Sequence, residues 1–292
     1  MNELPASREQ EVSELAEFIA EEYGAAGRVD PQTIAKRKKI TFKFGHYQEA
    51  FDGMLEYEAG LFHIYCNLDR VGQYDSPRAR FTMAHELGHY FIDEHRNALV
   101  SGFAPAHPSF CEYESENVVE READCFASSL LMPKLFFYRQ AKASSPGIAG
   151  ILHLKQYFNT SVTSTALRYV QSGRVPCMMM MWSNGNCIWK RSSGDTLISQ
   201  FNKVIDSPLV LPENSATAHA LSGKKPSSSG YFEAIAPASH LFREIQSDDL
   251  QSAPFIEQAI RLGDYGVISL LFPSQEVLAT HNTERRFFGE AV

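Results

Sequence analysis

No stretch of this chain approaches the ~20 consecutive apolar residues needed to cross a bilayer, so a membrane-spanning helix is excluded. Met1-Asn2-Glu3-Leu4-Pro5 has neither a basic region nor an apolar core; no secretory signal is expected, and the expected compartment is the cytoplasm. No CxxC pair occurs. The five cysteines (Cys66, Cys111, Cys125, Cys177 and Cys187) are odd in number and widely spread, which fits reduced thiols and argues against a disulfide framework or a structural cysteine-zinc site. Positive charge is also short: 27 Lys and Arg against 35 Asp and Glu give a net charge of −8, which argues against a protein whose main task is gripping DNA phosphates. What remains is a 292-residue chain with 44% hydrophobic residues, long enough for two domains with real cores.

Against that background one short run carries chemistry: His85-Glu86-Leu87-Gly88-His89, inside Arg80 to Tyr90. Asp75-Ser76-Pro77 supplies a helix cap and a proline suited to a first turn. Phe81, Ala84, Gly88, Phe91 and Ile92 then recur at helical spacing. Residues four apart share a helix face, so both imidazoles can reach one metal ion, and Glu86 is placed to take a proton from a water activated by it. Gly88 costs a helix about 1 kcal/mol relative to Ala, which makes sense if another backbone packs closely against it.

A catalytic zinc site takes three protein ligands and leaves one position open. The third is expected within residues 119–133, where Val119, Ala123, Phe126, Ala127, Leu130 and Leu131 form an apolar stripe. Glu120 and Asp124 lie four apart along its edge, Glu120 as ligand and Asp124 as acceptor for a ligand imidazole N–H. Glu122 competes, but it lies about 200° around the helix from Glu120, so both cannot face the metal; Glu120 is favoured, and Glu122 is expected to be solvated near Arg121.

Phe81 to His89, followed by Glu120-Arg121-Glu122-Ala123-Asp124 and Leu130-Leu131-Met132-Pro133, resembles the ImmA/IrrE (DUF955-type) family of metallopeptidases over roughly residues 10–170. The resemblance implies a gluzincin-like zinc site with His85, His89 and Glu120 as ligands and Glu86 as catalytic acid/base. It also implies a protein substrate, a helix-turn-helix (XRE-type) repressor whose cleavage switches on stress-response, DNA-damage or mobile-element genes. Many relatives carry a further His shortly after the motif; here Asp93 and then His95 follow, and whether His95 substitutes is open. Tyr90 and Tyr113 are candidates for stabilising the transition state. Mn2+ suits a two-His, one-Glu site as well as Zn2+.

The expected fold is α+β: a zincin-like peptidase domain over residues 1–145, a helix-turn-helix-like pair over 146–173 that completes or links the core, and a smaller α+β domain over 174–292, of a size compatible with a GAF- or PAS-like sensor. Residues 8–24 read as an amphipathic helix through Val12, Leu15, Phe18 and Ile19. Ile40 to Phe44, Gly53 to Glu58 and Leu61 to Asn67 read as strands, the last two as a hairpin around Ala59-Gly60. Residues 97–115 read as a loop rimming the cleft. Ile148 to Phe158 and Ser161 to Val170 form the helical pair, in which Lys155 and Arg168 are the cations, too few for a DNA-reading unit. Asn184-Gly185 marks a second hairpin, Pro254 to Leu262 reads as a helix and Tyr265 to Phe272 as a strand. Met178 to Met181 read as soft core filler. The readings from other classes are a non-cutting protein that sequesters a repressor and a DNA-binding regulator using 148–170.

Overall fold

The computed structural model describes residues 4–25, 27–103, 106–110, 117–194, 212–226, 228–237, 252 and 254–276. The chain divides into two units: Met1–Arg139 with Lys155–Ser161, and Gln140–Leu154 with Val162–Val292. The division falls within helices α7 (Lys134–Ala143) and α8 (Ile148–Phe158).

In the first unit, α1 (Ala6–Tyr23) and α2 (Pro31–Arg37) precede a four-stranded sheet. Its strands are β1 (Thr41–Gly45), β2 (Gly53–Glu58), β3 (Leu61–Asn67) and β4 (His107–Ser109), in the order β1-β3-β2-β4. β1 runs parallel to β3, and the other pairings are antiparallel. Ala59 and Gly60 both have positive φ (50° and 86°), as a two-residue turn matched to strand twist requires. The sheet passes through a short α3 (Leu68–Val71) into α4 (Pro77–Phe91), where the Ser76 side chain accepts from the Ala79 N–H at 3.0 Å and Pro77 occupies the first turn. α4 is buried on all sides from Thr82 to His89, packed on the sheet below and on α6 (Val118–Leu131) beside it. α1 covers the other flank of α6. The core joins Val12, Ile19, Ile34, Leu55, Ile64, Met83, Leu87, Phe126 and Leu130.

Several expectations change here. Phe18 points to solvent (64% exposed), and Ala16 and Ala20 take its place on the buried face of α1. Val119 is exposed at the start of α6. The segment expected as a loop from 97 begins inside α5 (Asp93–Val100) and includes β4, which adds to the edge of β2; 104–105 and 111–116, with Cys111 and Tyr113, lie outside the described residues.

The second unit contains α9 (Val162–Gln171) and an antiparallel five-stranded sheet. The strands are β5 (Met178–Ser183), β6 (Asn186–Ser192), β7 (Phe232–Pro237), β8 (Pro254–Arg261) and β9 (Val267–Pro273), in the order β6-β5-β9-β8-β7. A short α10 (Ala216–Leu221) lies against β8. Asn184 and Gly185 turn the β5–β6 hairpin with positive φ, and Met178, Met179 and Met180 are buried in it as core. The clear correction is 254–262, a strand rather than a helix. Its polar residues, which read as the solvated side of a helix, are buried: the Glu257 carboxylate accepts from the N–H groups of Ala216 (2.7 Å) and Thr217 (3.1 Å), and the Gln258 carbonyl accepts from the Ile148 N–H (2.7 Å). Both serve as caps for helix N-termini, which is why a central strand tolerates them. Residues 195–211, 238–251 and 277–292 lie outside the described residues.

Candidate metal centre

His85 and His89 sit one helical turn apart on α4, and Glu120 faces them from the first turn of α6. Their ligand atoms lie within 4.8 Å of one another. Glu120 Oε2 is 3.2 Å from His85 Nε2, Glu120 Oε1 is 3.5 Å from His89 Nε2, and the two Nε2 atoms are 3.1 Å apart. All three residues are buried.

The helices can approach this closely because of Gly88. A Cβ there would lie 3.1 Å from Ala123 Cα and 3.2 Å from Ala123 O, so the backbone of α6 is what packs against it. Glu120 and Asp124, four apart on α6, then face α4 together. Asp124 Oδ1 is 2.8 Å from His85 Nδ1. A carboxylate can only accept, so His85 directs an Nδ1 hydrogen at Asp124 and turns Nε2 toward Glu120 and His89.

His89 has a different support. Its Nδ1 is 3.2 Å from Nδ1 of His95 on α5, whose Nε2 is 3.0 Å from Glu122 Oε2. Glu122 is therefore not the solvated carboxylate expected of it: it is buried and receives Arg8 Nε (3.0 Å) and Arg8 Nη2 (2.8 Å). The reason is the cover on that side of α6, supplied by α1 and α5. Arg8 holds the Glu122 carboxyl below the usual range, despite its burial. Burial is the largest influence on His89 and brings its pKa down to about 4, so the ring is neutral near pH 7, as a nitrogen ligand requires. Two imidazoles and a carboxylate converging on one point, each imidazole backed through Nδ1, form a donor set that fits a zinc-type divalent cation.

Residues 73–169 match the family model of peptidase M78, the IrrE N-terminal-like domain. The chain carries an IrrE N-terminal-like domain. A solved structure of a Mycobacterium tuberculosis transcriptional regulator is similar in fold, with TM-score 0.57 and 15% sequence identity over 93% of this chain and 78% of that one. No curated protein matches.

Within the IrrE-like domain, Glu86 is fully buried on α4 beside the two imidazoles in sequence, and its carboxylate lies over Gly53 at the start of β2. A Cβ at Gly53 would come within 2.5 Å of Glu86 Oε1 and of Thr82 Cγ2. Nothing local in the sequence marks Gly53; its place beneath the carboxylate depends on the sheet. Tyr90 packs edge-on against Phe62 and Phe91, with the Arg96 guanidinium over its ring. The structure thus places Tyr90 in an aromatic cluster and His85, His89, Glu120 and Asp124 in the polar one. The cysteines among the described residues (Cys66, Cys125, Cys177 and Cys187) are free thiols, and no described helix is long and apolar enough to cross a membrane.

Proposed function

We propose that this protein is a zinc-dependent endopeptidase that cuts a helix-turn-helix repressor of the XRE type and so releases the genes it silences. The observation that carries the reading is the convergence of His85, His89 and Glu120, with the two histidine Nδ1 atoms already engaged by Asp124 and His95. The IrrE-like domain supports the peptidase class, and a fold shared with a transcriptional regulator suits a regulatory setting.

His85, His89 and Glu120 would hold the ion. A zinc ion there supplies Lewis acidity, polarising a scissile carbonyl and lowering the pKa of a water toward neutrality. Glu86 takes the proton of the attacking water on its carboxylate and passes it to the departing amine nitrogen, a role worth about 10²–10⁴ in rate. Asp124 keeps the His85 ring from turning and holds its proton at Nδ1. Burial around α4 keeps bulk water away from the Glu86 carboxylate.

The test is intact-mass analysis of a co-encoded helix-turn-helix repressor incubated with the zinc-loaded protein, beside Glu86→Gln. Two discrete fragments with the wild type alone are expected. Cutting by both proteins would remove Glu86 as the base. A repressor left whole by both, yet retained by the protein, would establish the non-cutting reading; a salt-dependent shift of duplex DNA would point to the DNA-binding one.

A further inference from the structure

We propose that His95, held by Glu122 and Arg8, is the positioning residue for His89, doing for that ring what Asp124 does for His85. The proposal rests on the reading of His85, His89 and Glu120 as metal ligands.

The geometry comes from a sharp corner. α4 ends at Phe91, and Ile92, in extended conformation, still donates its N–H to Gly88 O at 2.9 Å before α5 begins at Asp93. This turns His95 back over the last turn of α4, where it is buried with its ring centroid 5.1 Å from that of His89. Four helices then meet in one chain of contacts. Arg8 of α1 donates twice to Glu122 of α6, Glu122 faces His95 Nε2 of α5, and His95 Nδ1 faces His89 Nδ1 of α4. Arg8 is itself anchored by Glu11 at 2.9 Å and Glu94 at 3.2 Å.

The order of protons along this chain follows from what each group can donate. The Glu122 carboxylate, gripped by a guanidinium, only accepts, so His95 Nε2 carries the hydrogen. His95 Nδ1 then faces His89 Nδ1 as the acceptor of the hydrogen between the two rings. His89 Nε2 is left with a lone pair aimed at Glu120 and His85. An apolar residue at 95 would leave the His89 ring free to turn or to carry its proton on Nε2, where it blocks coordination. The two supports also differ in kind: His85 leans directly on a carboxylate, whereas His89 leans on a second ring whose acid partner is held by Arg8.

The experiment is zinc affinity of the full chain by competition with a chromogenic chelator, for wild type, His95→Phe and His95→Gln, with the visible absorption of the Co2+-loaded proteins as a second readout. His95→Phe keeps a ring and loses the acceptor; it is expected to weaken zinc binding by about 10–100-fold and to alter the cobalt bands. Gln offers a carbonyl to His89 and an N–H to Glu122, and is expected to restore most of both. If His95→Phe does not fold, His95→Leu removes the acceptor with less bulk and carries the same expectation. Wild-type affinity and spectrum in His95→Phe or His95→Leu, or loss in His95→Gln equal to theirs, would overturn the proposal. A wild type that takes up no zinc would overturn the metal reading itself, and the positioning role with it.

Discussion

In the second unit the buried carboxylate of Glu257 accepts from two N–H groups at the start of α10 and from the Thr217 hydroxyl, which in turn meets Ser269. In the first unit the buried carboxylate of Glu120 faces the Nε2 atoms of His85 and His89, whose Nδ1 atoms face Asp124 and His95. Both acids sit on regular elements. Glu257 is surrounded by donors, so the fold itself supplies what its charge needs. Glu120 instead faces the Nε2 atoms of two imidazoles, the atoms with which it would share a cation. Burial of an acid therefore says little; whether its neighbours are backbone donors or metal-ligating nitrogens separates a structural acid from a candidate ligand.

The largest effects should come from exchanging the two. Glu120→Ala is expected to lower zinc affinity by more than the ~100-fold upper range of supporting residues, with little loss of stability in the metal-free protein. Glu257→Ala is expected to do the reverse. It removes a charged acceptor of buried N–H groups, at about 3 kcal/mol, while zinc binding stays as in wild type. Chelator competition and thermal unfolding read the two quantities separately. Saturating zinc, at ~100 times its Kd, should still stabilise the Glu257→Ala protein by about 2.7 kcal/mol and should not stabilise Glu120→Ala. A Glu257→Ala protein that loses zinc would abolish the contrast.

The same contrast explains what the sequence made legible. The i,i+4 pairs His85/His89 and Glu120/Asp124 are local facts of helix geometry, readable because spacing decides which side chains share a face. The cap of α4 and both two-residue turns were equally local. The burial of Glu122 is not legible because its environment is assembled from Arg8 and His95, far from it in the chain, and nothing within one helix reveals what covers the other side. Residues 254–262 failed for a related reason: Glu257 and Gln258 carry the polar pattern of an exposed helix face, and their partners, Ala216 and Ile148, lie in other elements. Gly53 belongs with these, since its importance depends on a strand passing under Glu86.

Glycines offer a second, smaller contrast between the units. Gly53 leaves room for the Glu86 carboxylate, whereas a Cβ at Gly266, where φ is 108°, would meet the Trp182 carbonyl oxygen at 2.0 Å. Gly53→Ala is expected to lower repressor cleavage by about 10²-fold, the usual penalty for displacing a reacting group by ~1 Å, with zinc affinity within a few-fold of wild type. Gly266→Ala is expected to cost stability, about 1–3 kcal/mol, through backbone strain. Cleavage kinetics beside zinc titration decide the first. Unchanged kcat/KM in Gly53→Ala would mean that Glu86 does not need the space this glycine leaves.

The smallest expected effect concerns a third buried acid, Asp52, which is structural like Glu257 but paired with full charges, Arg70 at 2.5 Å and Arg78 at 2.9 Å. Burial pushes its carboxyl up, but the hydrogen bonds from Arg78 and Arg70 outweigh that and hold it below its ordinary value. A carboxyl depressed in the folded state contributes stability that is present above its unfolded pKa, about 3.9, and is lost as pH falls through the lower folded value. Asp52→Asn should therefore be less stable than wild type at neutral pH and should fall less steeply below about pH 4, by at most about 1.4 kcal/mol per pH unit. Thermal melts of the chelated protein across that range isolate the effect from protonation of the zinc ligands. Parallel curves would mean that the guanidinium pair gains nothing over solvent, and Asp52 would then group with Glu257 as an acid satisfied by geometry rather than by charge.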